Sequence, residues 1–161
     1  MHVAAVDTDP ILSTSGSTSG SSSDDHRRDQ GPPGTLSAVV LHARRVTSRA
    51  RADYAEAVEP LAAHPGVIVL RTCHRVEVYL SRAAGPVPLP RPPGGAVELA
   101  DAEAVRHLVA VACGLESAVL GEDQVMHQIR ETHTARRASG PLDPVLDRLF
   151  QTALHAGRRA H

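Results

Sequence analysis

Val67-Ile68-Val69-Leu70-Arg71-Thr72-Cys73-His74-Arg75-Val76-Glu77-Val78-Tyr79-Leu80 is the stretch whose reading decides the fold. Its first four residues are an unbroken apolar run, the pattern of a fully buried strand. From Val76 the run alternates, with Val76, Val78 and Leu80 on one face and Glu77 and Tyr79 on the other. Cys73 therefore falls where one strand ends and the next begins, held by rigid elements and exposed at their edge. Arg71 and Arg75 flank it, and guanidinium groups beside a thiol favour the thiolate, the form that attacks. The competing reading is a small residue buried at a strand end.

Upstream, Ala38-Val39-Val40-Leu41 reads as a first strand. Thr47 or Ser48 caps a helix over about 49–63 with Tyr54, Ala57, Val58 and Leu61 on one face, and His64-Pro65-Gly66 stops it. Downstream, residues 83–95 hold five prolines and three glycines, which excludes a helix or a central strand. A short fourth strand at Ala96-Val97-Glu98-Leu99 precedes a helix from about Asp101, with Ala104, Val105, Leu108, Val109 and Ala112 as its core face. Gly114 ends that helix, and another covers about Ser117 to Ala138. Pro144 opens the last, whose stripe is Leu142, Val145, Leu146, Leu149, Phe150, Ala153 and Leu154, finished by Gly157 and Arg158-Arg159. This order predicts an α+β fold, a small mostly antiparallel sheet with helices on one side, over residues 35–161. Residues 1–34, dominated by Ser, Gly, Thr and Asp, read as a disordered leader.

A chain of 161 residues with 42% hydrophobic content supplies one core. A net charge of -1 provides no global field to steer nucleic acid. All 17 basic residues are Arg. Two cysteines without a Cys-x-x-Cys spacing suit a reduced, cytoplasmic protein. The apolar runs are too short to span a membrane. No Gly-x-Gly-x-x-Gly occurs, so the chain itself is expected to bind no dinucleotide cofactor.

A second stretch, Gly114-Leu115-Glu116-Ser117-Ala118-Val119-Leu120-Gly121-Glu122-Asp123-Gln124-Val125-Met126-His127-Gln128, closely resembles the second signature of glutamyl-tRNA reductases. The Cys73 stretch resembles their first, a Thr-Cys-Asn-Arg-Val/Thr-Glu core. The resemblance runs from about Leu36 to His161 and is to the N-terminal catalytic domain, without the family's NADPH-binding and dimerisation domains. It implies attack by a cysteine thiolate on the ester joining glutamate to its transfer RNA. In the family the resulting thioester is reduced with NADPH to glutamate-1-semialdehyde, a tetrapyrrole (porphyrin) precursor. For this chain the implied activity is the acyl-transfer or hydrolysis half, on glutamyl-tRNA or another aminoacyl-tRNA, unless a separate reductase or acyl-acceptor partner completes it. A non-catalytic aminoacyl-tRNA or partner-binding module, and a fragment of a full reductase, are the alternatives.

The same resemblance assigns the residues. Cys73 aligns with the nucleophile and His107 with a histidine that serves as base or orienting partner; by spacing alone His107 is a partly exposed helix residue. Thr72, His74, Arg75, Ser117, Glu122, Asp123, Gln124 and Gln128 map onto the substrate clamp. Arg75 is expected to pair with the γ-carboxylate and Glu122 to accept from the α-ammonium group. Gln124 and Gln128 share a helix face. Three positions depart from the family pattern: His74 replaces asparagine, Asp123 replaces proline, and His127 replaces a small residue and is expected to fill part of the pocket. The family's Asn-His-Lys strand exit is represented by His42-Ala43-Arg44. His74, His107 and His127 lack the spacing of a zinc site, and no metal is expected. Cys113 reads as core. The apolar stripe of the last helix is expected to be partly exposed and to drive self-association.

Overall fold

The computed structural model describes residues 35–116 and 123–160; the leader expected over 1–34, Ser117 and Glu122 lie outside them. Four strands, Leu36–His42 (β1), Val67–Arg71 (β2), Arg75–Ser81 (β3) and Val97–Ala100 (β4), form one sheet in the order β2-β3-β1-β4. Every pairing is antiparallel, with Arg71 opposite Val76 at the β2–β3 turn and His42 opposite Arg75 at the same end. The helices are Ser48–Val58 (α1), Ala102–Ala112 (α2), Asp123–Ala138 (α3) and Pro144–Ala160 (α4).

Strand alternation divides the core in two. Ala38, Val40, Ile68, Leu70 and Tyr79 face a cluster built with α2, α3 and α4. Val39, Leu41, Val67, Val76, Val78 and Leu80 face the other way, against Tyr54, Ala55 and Val58 of α1. The α+β class with an antiparallel sheet is as the sequence predicts, and three helices cover one face. The one-sided arrangement is refined, because α1 lies on the opposite face. Val87 and Leu89 of the Pro-rich segment pack beside it. Alternating with prolines in an extended chain, these two side chains replace part of what a helix would bury.

Thr47 is the N-cap of α1, its Oγ1 accepting from the Ala50 amide at 3.2 Å. Within that helix Ala55 is buried and Ala57 exposed, the reverse of the expected assignment. Tyr54 and Val58 fix the face, and Ala55 and Ala57 lie at equal angles on either side of it, so the packing against the sheet rather than the helical period decides which is covered. In α4 the stripe is turned inward: Leu146, Leu149, Phe150, Ala153 and Leu154 are all buried. This removes most of the exposed surface expected to drive self-association. What stays open is a groove lined by Leu36, Val105, Pro144, Val145 and Leu149. Arg136 ties α3 to the start of β2, donating to the carbonyls of Val67 (3.2 Å), His64 (3.0 Å) and Pro141 (2.7 Å). Among the described residues no helix is long and apolar enough to cross a membrane.

Candidate active site

Thr72 and Arg75 close the β2–β3 hairpin, and Cys73-His74 is its two-residue tip. The Thr72 amide donates to the Arg75 carbonyl at 2.9 Å. The Thr72 hydroxyl accepts from the amides of His74 (3.2 Å) and Arg75 (3.1 Å). Neither tip residue has a positive φ, so this side-chain turn does the work that glycine does in the commonest two-residue hairpins. The tip is braced from both sides: the Ala43 amide donates to the His74 carbonyl at 2.8 Å, and Arg51 of α1 donates to the Cys73 carbonyl at 3.3 Å. Cys73 and His74 are exposed, which excludes the buried-residue reading of the cysteine. The Cys73 Sγ lies 3.1 Å from His74 Nδ1.

The expected flanking of the thiol by Arg71 and Arg75 is corrected by the structure. Arg71 pairs with Glu59 at 3.4 Å. Arg75 turns inward and is 3% exposed; its Nη1 is 3.3 Å from Glu77 Oε1 and its Nη2 donates to the Glu116 carbonyl at 3.2 Å. Each guanidinium has found a carboxylate, and for the buried Arg75 that partner compensates a charge withdrawn from water.

Glu77 is the centre of the arrangement and is fully buried. Its Oε1 meets Arg75 and, at 3.0 Å, His107 Nε2 from α2; its Oε2 accepts from the Tyr79 hydroxyl at 2.6 Å. Burial pushes its carboxyl up, but the hydrogen bond and charge of His107, the Tyr79 hydroxyl and the Arg75 charge outweigh it and hold it below the ordinary carboxylate value. Burial, with Glu77 beside it, pushes the Tyr79 phenol well up, so Tyr79 stays a donor. An ionised carboxylate only accepts. His107 therefore carries a proton on Nε2, and in the neutral ring Nδ1 is the basic nitrogen.

Above this network is a cavity of about 270 Å³, lined by His42, Arg44, Arg45, Arg75, His107 and Glu116 with Val40, Val97 and Leu99 beneath. Burial, then the charges of Arg75 and Arg44, lowers the pKa of His42. The cavity is cationic along one rim and takes a group of amino-acid size. Cys73 belongs to the adjacent hairpin tip, and Arg75, paired with His42 across the sheet, joins the two.

The structure brings Arg75 and His107 together at the cavity and places Thr72, Cys73 and His74 at the tip. Gln124 and Gln128 lie on α3, exposed and half-buried respectively. Asp123 begins α3. His127 does not fill the pocket; it is exposed and pairs with Glu131 at 3.0 Å, a contact that i,i+4 spacing favours. Cys113, at the end of α2, is half-buried rather than fully in the core. Among the described residues no group of three or more His, Cys, Asp or Glu could hold a metal ion. Glu77, Tyr79 and Arg45 are absent from the sequence-based site. The available signal was Glu77 and Tyr79 sharing one face of a strand flanked by apolar runs.

Residues 36–161 match the family model described as glutamyl-tRNAGlu reductase, N-terminal domain. The chain is similar to the glutamyl-tRNA reductase of Halobacterium salinarum, 39% identical over 115 residues, 65% of this chain and 26% of that protein. It is 40% identical to the Thermomicrobium roseum glutamyl-tRNA reductase over 108 residues, 58% of this chain and 26% of the relative. The solved structure of glutamyl-tRNA reductase from Methanopyrus kandleri matches with a TM-score of 0.62 and 27% identity, over 78% of this chain and 34% of that one. The chain thus spans about a quarter of the length of these curated relatives.

Proposed function

The chain belongs to the glutamyl-tRNA reductase N-terminal domain family, and on that premise we propose that it takes the glutamyl group of glutamyl-tRNA onto Cys73 as a thioester. The observation that carries this reading is the buried Arg75–Glu77–His107 network under a cationic cavity, directly beside the hairpin tip that presents the thiol. The glutamyl side chain enters the cavity. Its carboxylate pairs with the guanidinium groups there, and Arg75, which has five N–H donors, retains some beyond those given to Glu77 and Glu116. The ester carbonyl then lies over the tip, within reach of Sγ. Sγ–C bond formation opens the carbonyl, and the C–O bond to the ribose breaks as the carbonyl re-forms. The proton that the thiol gives up ends on the ribose oxygen, relayed through the basic Nδ1 of His107, while Glu77 holds that ring in place. Thr72 sets the tip by its side-chain turn, and Ser117, Glu122, Asp123, Gln124 and Gln128 complete the clamp in this proposal.

NADPH, the family's reductant, does not fit the residues present. The described sheet is wholly antiparallel, without the parallel strand–helix crossover whose first turn holds a dinucleotide, and the sequence has no glycine-rich fingerprint. With the residues present, the thioester is hydrolysed, or handed to an acyl acceptor or to a reductase unit beyond these residues. Release of glutamate from labelled glutamyl-tRNA tests the reading. Wild-type chain accelerates it and Cys73→Ser abolishes the acceleration; equal rates with the two proteins would leave a binding module in its place.

A further inference from the structure

We infer that His74 is the proton acceptor of Cys73, so that the thiol is activated by its own neighbour at the hairpin tip rather than by His107. The inference rests on the acyl-transfer reading for its substrate, but the proton transfer itself needs none. Sγ and His74 Nδ1 are 3.1 Å apart, a hydrogen-bond distance between a thiol and an imidazole. Both residues have fixed backbones: Thr72 Oγ1 and Ala43 hold His74, and Arg51 holds the Cys73 carbonyl. The backbone that brings the two side chains together is thus held at three points. His107, by contrast, has Nε2 committed to Glu77 and faces the cavity, whose lining does not include Cys73.

The chemistry of the ring matters more than its shape. The asparagine that the signature carries here in its usual form can donate to or accept from a thiol but cannot take its proton. With His74, the Sγ proton moves to Nδ1 and leaves a thiolate beside an imidazolium. Attack forms the S–C bond and breaks the C–O bond to the ribose, whose oxygen takes up the proton that left Sγ, so that His74 is a neutral imidazole again. Water can then attack the thioester, giving its proton to neutral imidazole, which passes it to the departing sulfur; the free thiol and glutamate result. No oxidant or reductant enters. The charges on the elements packed against the tip are Arg51 from α1, Arg71 with Glu59, Arg75 with Glu77, and His42 and Arg44 from the end of β1.

The test is the pH profile of Cys73 alkylation by iodoacetamide, followed by peptide mass spectrometry so that Cys113 is counted separately. His74→Asn and His74→Gln are expected to move the midpoint upward, toward the free-thiol value of about 8.5. A midpoint one pH unit higher makes alkylation near neutral pH about three- to fourfold slower, the roughly tenfold loss of thiolate being partly offset by its greater nucleophilicity. Above the midpoint the variants should match or exceed wild type, because a more basic thiolate is the better nucleophile. A variant that had hidden its thiol would stay below the wild-type curve at every pH, and one that had unfolded, whose free thiol would mimic the upward move, is identified by loss of the wild-type melting transition. Profiles that superimpose for wild type and both variants overturn the inference, as does an upward move in His107→Asn with none in His74→Asn. Incubation with glutamyl-tRNA separates the two readings. A displaced alkylation profile with no acylation leaves His74 as the base and removes the proposed function; acylation with an unchanged profile does the reverse.

Discussion

Glu77 has three partners for its two oxygens, and its removal leaves two of them stranded. Arg75 is 3% exposed, so Glu77→Ala creates a buried guanidinium without a counter-charge, at a cost of about 3–5 kcal/mol, read from urea unfolding. A loss below about 1 kcal/mol, the range of a surface pair, would mean that the network is solvated. Titration at the same site gives a second prediction. His42 has a lowered pKa in the fold, so between that value and its ordinary 6.5 the unfolded chain binds the proton first. The stability it contributes is present above 6.5 and is lost as pH falls toward the folded value. Glu77, lowered from 4.5, has the same sign: its contribution is present above 4.5 and is lost as pH falls through the folded value. Melting temperatures should therefore decline below about pH 6.5 and more steeply below about 4.5. A melting temperature constant from pH 7.5 to 3.5 would contradict both of these pKa directions.

At the scale of elements, the joints between helices and sheet rest on a few polar contacts. Arg136 gives α3 its hold on the start of β2 through the carbonyls of His64 and Val67 and holds the α3–α4 connection through that of Pro141, and Arg136→Ala should cost about 3 kcal/mol in unfolding. The α2–α4 crossing depends instead on a missing side chain. A Cβ at Gly157 would meet the Ala112 carbonyl at 2.7 Å and Met126 Sδ at 2.9 Å. Gly157→Ala should thus destabilise, although alanine is favoured by about 1 kcal/mol within an exposed helix; a stabilised variant would show that the crossing can open. The strands and helix stops were legible because their signals are local: the apolar run at Val67–Leu70, the Thr47 cap, the Gly114 and Pro144 boundaries. The face assigned to Ala57 was not, since two alanines differ by too little apolar area for periodicity to choose between them. Exposure of Cys73 was legible in the strand–turn–strand reading. The roles of Arg71, Arg75 and Glu77 were not: Glu59, His107 and the Glu116 carbonyl come from other parts of the chain, and Arg75 and Tyr79, two residues either side of Glu77 on β3, close on it only because that face is covered. An alternating strand marks Glu77 as polar, and only the packing of α2, which delivers His107, makes that position interior.

In the molecule as a whole, one antiparallel sheet with helices on both faces supports a cavity and an exposed thiol at one end. In the proposed acyl transfer that end takes the substrate, and the described sheet lacks the parallel strand–helix turn that holds a dinucleotide. The purified chain should accordingly show no saturable NADPH binding in a fluorescence titration; saturation would require a nucleotide site that the described sheet does not offer. Transfer of an acyl group from glutamyl-tRNA to Cys73 is tested most directly by acid-quenching the chain after brief incubation with labelled glutamyl-tRNA and mapping the adduct by mass spectrometry. One glutamyl group is expected on the peptide containing Cys73, sensitive to hydroxylamine as a thioester is, and none on Cys73→Ser. An unmodified Cys73, with intact glutamyl-tRNA bound at saturation, would contradict acyl transfer to the thiol.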